Sequence, residues 1–368
     1  MKYVNQNGVG VDFDPWFKKG LRFTSLHMYE ELGGTIAFGS MELLHDGSEQ
    51  ALELVDKERT GTITIDKKDG GWVYEIPIFI TKLSSFRNVV SIEFICSPIK
   101  DFWSVPMQEV WEQDITSTVE ALYPGKQDIR CETDIQASDL VFYQNKESNY
   151  DLLVNLCYAF KKDSVFAFGW EGLMIKETMG EKDSTGETEP NLKLMSGGEF
   201  QQVSSDEYKY NPSLYHMPLN VWEDTEQKVA LEDYTEKEPV NLRIIKKYNS
   251  TYAVRTPYYQ LEENASYNRA YMNSDLTRTI TIIDSMSMPG YKIGDVLEYS
   301  QASREKDSIG WPYKYYLVKS NELFMAIDGS DLRDENGNTY SWTSKLIALE
   351  ENGTIALGND EDPTDSER

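Results

Sequence analysis

Tyr143-Gln-Asn-Lys-Glu-Ser-Asn-Tyr-Asp-Leu-Leu-Val-Asn-Leu-Cys-Tyr-Ala-Phe160, running on to Phe166-Ala-Phe-Gly-Trp-Glu-Gly-Leu-Met-Ile-Lys176, reads as a capped amphipathic helix followed by a tight hairpin. Ser148 or Asn149 supplies the cap, since a short polar side chain accepts from the free N–H groups of a first turn. Tyr150, Leu153, Val154, Cys157 and Phe160 recur at helical spacing and form the packing face. Glu171-Gly172 is the turn between two short apolar strands. Nothing in the stretch reads as catalytic, so its meaning depends on what flanks it.

Both flanks read as β. Before it, Gly20 to Glu30 alternates in part, Gly33-Gly34 breaks the run, and Thr35 to Leu44 resumes it. Thr60 to Asp66, Trp72 to Ile80 and Val89 to Cys96 are three more strands, with Lys68-Asp-Gly-Gly71 as a hairpin turn. Pro77 marks its strand as an edge or a bulge, because proline cannot donate to a ladder. No helix interrupts this set, so it predicts an antiparallel barrel or sandwich. After the stretch, Lys176 to Ser205 is polar and glycine-bearing and reads as a long loop or linker. Short strands are placed near Val240 to Ile245 and Tyr252 to Arg255. From Arg278 the β pattern returns: Thr279 to Asp284, Tyr291 to Tyr299, Tyr313 to Ser320, Leu323 to Ile327, then Asn336-Gly337 as a turn and Thr339 to Leu349. Val110 to Leu122 reads as a helix stopped by Pro124-Gly125, and Ile129 to Ile135 as a strand.

The predicted fold class is therefore mainly β with a smaller α+β part: two antiparallel β-barrels separated by a small α+β domain. Residues 1–105 form the first barrel and 106–180 the small domain. Residues 181–270 are a linker or insertion with short strands, 271–355 the second barrel, and 356–368 an acidic mobile tail. A chain of 368 residues has room for these units.

Net charge is −26, from 62 acids against 36 bases. That opposes a nucleic-acid binder, which needs a basic surface to neutralise phosphates. Cys96, Cys131 and Cys157 are odd in number and lack C-x-x-C spacing, so they read as free thiols of a reducing compartment. The polar start carries no secretion signal, and no apolar run approaches the roughly 20 residues of a spanning helix. The sequons at Asn249, Asn264 and Asn352 then read as chance.

Catalytic signatures are missing. His27, His45 and His216 form no metal-ligand pair, and His45-Asp46-Gly47 reads as a solvated turn. There is no nucleophile elbow, phosphate loop or dinucleotide fingerprint. Asp334-Glu-Asn-Gly-Asn338 resembles a calcium loop in composition only, because its glycine falls fourth and Lys345 stands where the bidentate glutamate belongs. Glu171 and Glu30-Glu31 are candidates for the carboxylate pair of a glycosidase, but spacing alone cannot pair them. No catalytic, cofactor-binding or metal residue is assigned.

The order of the pieces carries a resemblance. Leu32-Gly-Gly-Thr-Ile-Ala-Phe-Gly-Ser-Met-Glu-Leu-Leu-His-Asp-Gly47 precedes Phe94-Ile-Cys-Ser-Pro98, and the helix and hairpin follow. Tyr291-Lys-Ile-Gly-Asp-Val-Leu-Glu-Tyr299, Tyr316-Leu-Val-Lys-Ser320 and Tyr340-Ser-Trp-Thr-Ser-Lys-Leu-Ile-Ala-Leu349 end the pattern. Together they resemble the baseplate hub protein of contractile-tailed bacteriophages and the related hub part of type VI secretion spike proteins. The resemblance covers most of residues 20 to 350 in order and is specific in these short stretches.

It implies a non-enzymatic structural protein of the virion tail, assembled in the host bacterial cytoplasm. A homotrimer would form a ring of six barrels that adapts the six-fold tail tube to a three-fold spike. The implied partners are the tail tube protein above, a spike or needle protein below and the tape-measure protein in the channel. DNA would pass through during ejection without specific binding, and no cofactor or membrane anchor is implied. An acid-lined lumen would repel phosphate in transit. The competing readings are an acidic β-rich tail-associated hydrolase and a carbohydrate- or receptor-binding tail protein.

Overall fold

The computed structural model describes residues 2–49, 53–54, 59–67, 73–96, 109–111, 115–123, 125–131, 140–144, 148–157, 160, 164–177, 192–194, 201–207, 253–254, 279–284, 290, 292–299 and 315–349. In the first part lie β1 (Tyr3–Val4), β2 (Val9–Asp14), a 3-10 turn (Trp16–Lys19), β3 (Leu21–Glu31), β4 (Gly33–Ile36), β5 (Phe38–His45), β6 (Thr60–Lys67), β7 (Val73–Phe86) and β8 (Val89–Ile95). The middle holds β9 (Glu109–Trp111), α1 (Ile115–Leu122), β10 (Gln127–Arg130), β11 (Leu140–Gln144), α2 (Asn149–Cys157), β12 (Ser164–Gly169) and β13 (Gly172–Glu177). Then come β14 (Leu192–Leu194), β15 (Gln201–Glu207), β16 (Ala253–Val254), β17 (Thr279–Asp284), β18 (Val296–Tyr299), β19 (Tyr315–Ala326) and β20 (Tyr340–Leu349). The architecture is mainly β with a smaller α+β part, as the patterning predicts.

The period-2 pattern does what it should. On β7, Tyr74, Ile76, Ile78 and Ile80 are buried, and on β8 Val90, Ile92 and Phe94 are buried between exposed or half-buried neighbours. One sheet runs β1-β2-β6-β7-β8-β5-β3-β19-β20-β17-β15, with β18 on β19 and β14 on β18. Its first strand curls back toward the far end of β19. The Tyr3 hydroxyl accepts from Asp328 N at 2.9 Å, and Gln6 N donates to Asp328 Oδ2 at 2.9 Å. The N-terminal strands thus wrap one core, which Leu323 and Met325 of β19 and Tyr340 and Trp342 of β20 enter.

A second core forms around α1, α2 and the four-stranded sheet β10-β13-β12-β4. The other ends of the same two long strands reach it, through Tyr315, Leu317, Ile347 and Leu349. The two β regions are therefore parts of one hydrogen-bonded sheet, joined where β3 pairs antiparallel with β19 from Glu31↔Ser320 to Ser25↔Ala326.

Several local expectations change. Val110 and Trp111 are not helical: they belong to β9, whose partner is β11, and α1 starts only at Ile115. A ladder partner outbids the helical period there. The two strands expected at 313–320 and 323–327 are one over the described residues, β19 (Tyr315–Ala326), because Asn321 and Glu322 do not mark a turn. Within the stretch from Lys176 to Ser205, read as a loop or linker, Leu192–Leu194 form β14, and β15 (Gln201–Glu207) begins. The hairpin turn is Trp170–Glu171, with Gly172 already paired to Gly169. Pro77 pairs with Thr62 on β6, while the ladder to β8 starts only at Phe79, so its missing N–H leaves no gap in that ladder. The predicted turn at 68–71, the strand at 240–245, the three sequons, His216 and the tail at 356–368 lie outside the described residues.

Candidate functional site

One edge of β19 serves two partners in succession. Tyr315 to Leu317 pair with β18, and Ser320 to Ala326 pair with β3. The handover is a bulge between Val318 and Ser320. Gly294 N donates to Val318 O at 2.9 Å, and Leu32 N donates to Lys319 O at 2.9 Å. Three parts of the chain meet at this bulge: the end of β3, the segment leading into β18, and the tip of the β12–β13 hairpin.

Glu30 is the centre of the meeting. It is 4% exposed and faces inward beside Asn321, its register partner on β19. Asn321 Nδ2 donates to Glu30 Oε1 at 2.9 Å, and Trp170 N donates to Glu30 Oε2 at 2.9 Å. The network continues inward, with Ser344 Oγ donating to Asn321 Oδ1 at 2.7 Å and Trp342 Nε1 donating to Ser344 Oγ at 3.0 Å. Burial pushes the Glu30 carboxyl up to about 7, against the N–H bonds that favour its ionised form, and the nearby Glu171 adds to the rise.

Above this polar line the hairpin tip is wedged among aromatic rings. Trp170 meets Tyr74 edge-on at 5.8 Å and Trp342 edge-on at 5.4 Å between centroids. Gly172 follows at φ +140, where an added Cβ would lie 2.1 Å from Lys126 O. That carbonyl accepts from Leu173 N at 3.0 Å, so the backbones must approach closely there.

The junction opens outward as a cleft of about 640 Å³, counting its mouth. Charges at its rim are matched, most of them across chain segments. Glu171 accepts from Lys126 at 3.2 Å and pairs with Lys292. Lys176 pairs with Asp295 at 3.2 Å, and Arg130 with Asp128 at 2.5 Å. Burial pulls the Lys176 ammonium down, and Arg130 holds the Asp128 carboxyl low.

The structure thus brings Glu30 and Glu171, two of the candidate carboxylates that spacing could not pair, to one cleft. Their oxygens are taken, however: Glu30 by backbone and amide N–H groups, Glu171 by two lysines. This is the arrangement of a clamp. Glu31 faces the other side of the sheet and accepts from Tyr29 Oη at 2.9 Å and Thr35 Oγ1 at 2.7 Å. His45 is tied into its turn, with Nε2 2.8 Å from Arg87 O and Nδ1 accepting from Gly47 N at 3.1 Å. His27 contacts Glu322 at 2.6 Å. Asp334 Oδ1 accepts from Asn336 N at 2.9 Å and Asn338 N at 2.7 Å, the geometry of a turn rather than a cation site. The three cysteines are buried and form no disulfide. Among the described residues no cluster of three metal-ligating side chains occurs, and no helix is long and apolar enough to cross a membrane.

The helix of the deciding stretch packs beside the junction. Ser148 is its cap: Asp151 N donates to Ser148 Oγ at 3.0 Å, and Ser148 Oγ donates to Asp151 Oδ2 at 2.8 Å. Leu153, Val154, Cys157 and Phe160 are buried, as expected, but so are Leu152 and Leu156. The helix is enclosed on more than one face. Tyr150 donates to Gly34 O, tying it to β4.

On the sheet face opposite the first core, β8, β5, β3, β19 and β20 present Glu93, Glu42, Glu31 and Glu322 together with Arg22 and Lys345. This face runs unbroken across the β3–β19 seam.

No protein-family model and no curated protein matches the sequence. Solved structures do match. An Escherichia coli type VI secretion component, the c3393 protein, described as structurally similar to bacteriophage T4 tail proteins gp27 and gp5, aligns with a TM-score of 0.53. It is 10% identical over 95% of this chain and 79% of that one. The 43 kDa tail protein of prophage MuSo2 from Shewanella oneidensis aligns at 0.52, with 11% identity over 90% and 95% of the two chains. A tail protein from Neisseria meningitidis aligns at 0.51, with 10% identity over 92% and 96%. At such identities the likeness is one of fold, and it agrees with the tail-hub resemblance seen in the sequence: the chain has the fold of phage-tail and type VI secretion hub-like proteins.

Proposed function

We propose that this chain is the structural hub of a phage tail or a related injection machine and performs no catalysis. The observation that carries the reading is the continuous sheet across the β3–β19 seam. A wall built from two β regions with no gap between them is what a tube adaptor requires, since an open edge would otherwise invite stray pairing. The fold likeness to tail proteins over nine-tenths of the chain supports it.

In this reading three copies close a ring of six barrels, with barrels at 1–105 and 271–355, the small α+β domain at 106–180 and an insertion at 181–270. The tail tube protein stacks above, a spike or needle protein below, and the tape-measure protein and DNA occupy the channel. The uninterrupted face bearing Glu31, Glu42, Glu93 and Glu322 lines the channel. It leans acidic, which suits passage of DNA without binding. The protein resides in the virion tail and assembles in the host cytoplasm.

An electron-microscopic reconstruction of the assembled particle tests this. Three copies around the axis, with the Glu31 face inward, are expected. A single copy or an off-axis position refutes the reading. So does glycan hydrolysis by the purified chain that is lost in Glu171→Gln, which would favour the hydrolase.

A further inference from the structure

We propose that Glu30 is a proton-operated latch at the junction: when its carboxyl ionises, the hairpin tip at Trp170 is released from the sheet more readily. The geometry carries this. A single carboxyl, buried and without a cation of its own, is bonded to β19 through Asn321, to the hairpin through Trp170 N and to the backbone of Ile293 ahead of β18. Withdrawal of the hairpin would uncover the cleft behind it and bring water to the carboxyl. The docked state therefore holds Glu30 dry, and the undocked state holds it wet. A dry carboxyl without an ionic partner prefers to keep its proton, and a wet one does not.

The surrounding charges leave Glu30 in that position. On the hairpin tip, Glu171 is engaged by Lys126 from the segment before β10 and by Lys292 from the segment before β18. Asp295 holds Lys176 of β13, and Arg130 holds Asp128 on β10. Tyr74 on β7 and Cys96 after β8 are both pushed up by burial, and Glu30 contributes to each rise, so neither supplies a compensating charge. Protonated Glu30 removes the one buried charge that lacks an opposite partner in the network.

The sign follows from linkage. Docked, the carboxyl titrates near 7; undocked and hydrated, it returns toward the ordinary glutamate value of 4.5. The docked state binds the proton more tightly, so undocking becomes easier as pH rises between these values and levels off above the higher one. The undocking constant should grow about fiftyfold between roughly pH 5 and pH 8. The latch holds in acid and loosens in base.

Hydrogen exchange at the Trp170 amide reads the latch directly, because that N–H is bonded to Glu30. After correction for intrinsic exchange, its protection should fall about fiftyfold across that range, while the Ile92 amide, remote in the first core, should not follow. Glu30→Gln should abolish the dependence. Should that variant not fold, carbon-13 titration of the wild-type carboxyl replaces it, with a midpoint near neutrality expected. Trp170 protection that is flat with pH, an equal slope at Ile92, or a Glu30 midpoint in the ordinary glutamate range overturns the proposal.

Discussion

The two cores of this molecule are assembled in opposite ways. The N-terminal core is built from strands that follow one another closely: β6, β7 and β8 are adjacent both in sequence and in the sheet. The core around α2 draws on parts spread over most of the chain, from Leu32 and Val119 to Phe166, Leu317 and Ile347. The first can form largely by hairpin closure, which costs little loop entropy. The second needs the ends of β19 and β20 delivered to it. Those strands also fill the first core, so β19 and β20 are shared by the two, with Trp170 and Glu30 beside the seam.

This contrast can be broken. Trp170→Ala empties a buried site between Tyr74 and Trp342 and should cost about 3–5 kcal/mol in denaturant unfolding. If the cores are coupled, probes in both should shift together in one transition; a shift confined to the N-terminal core, where Trp170 packs, would separate them. Gly172→Ala drives a Cβ into Lys126 O at a φ only glycine favours, and should cost about 3 kcal/mol by the same measurement. Here the damage enters from the hairpin side, so a matching loss in the N-terminal core would sharpen the case for coupling.

Smaller changes should stay on one side. Ser148→Ala removes the cap of α2 and should cost about 1 kcal/mol, seen as faster amide exchange in the first turn of that helix and not in β7 or β8. Lys292→Met removes one of two lysines on the part-exposed Glu171, and should cost less than about 1 kcal/mol, an effect that shrinks in high salt. A larger, salt-independent cost would mean that the rim ion pairs, and not the buried wedge, hold the hairpin in place.

Much of the N-terminal region was legible because its strands alternate and its turns carry glycine. The cap and packing face of α2 were legible for the same local reason. The candidate site was legible only as unpaired carboxylates, Glu171 and Glu30-Glu31; the register with β19 is what shows that Glu30 faces Asn321 inside and Glu31 the other side of the sheet. Asn321-Glu322 looked like a break between two strands for the mirror-image reason. A polar residue at an inward position was the available signal, since a buried polar side chain requires a partner somewhere. The partner lay 291 residues away. Val110 and Trp111 failed differently: a segment of three residues takes the structure its neighbour offers.

By itself the amino-acid order determined the class of structure and the position of the Ser148-capped helix in the middle stretch. These depend on periodicity and on residue type, which act over a few residues. The tertiary structure alone decided that the two β regions share one sheet, that β19 changes partner at a bulge, and that Glu30 is buried at the crossing. Each of these depends on which distant strand lies alongside, and local sequence carries no record of that pairing.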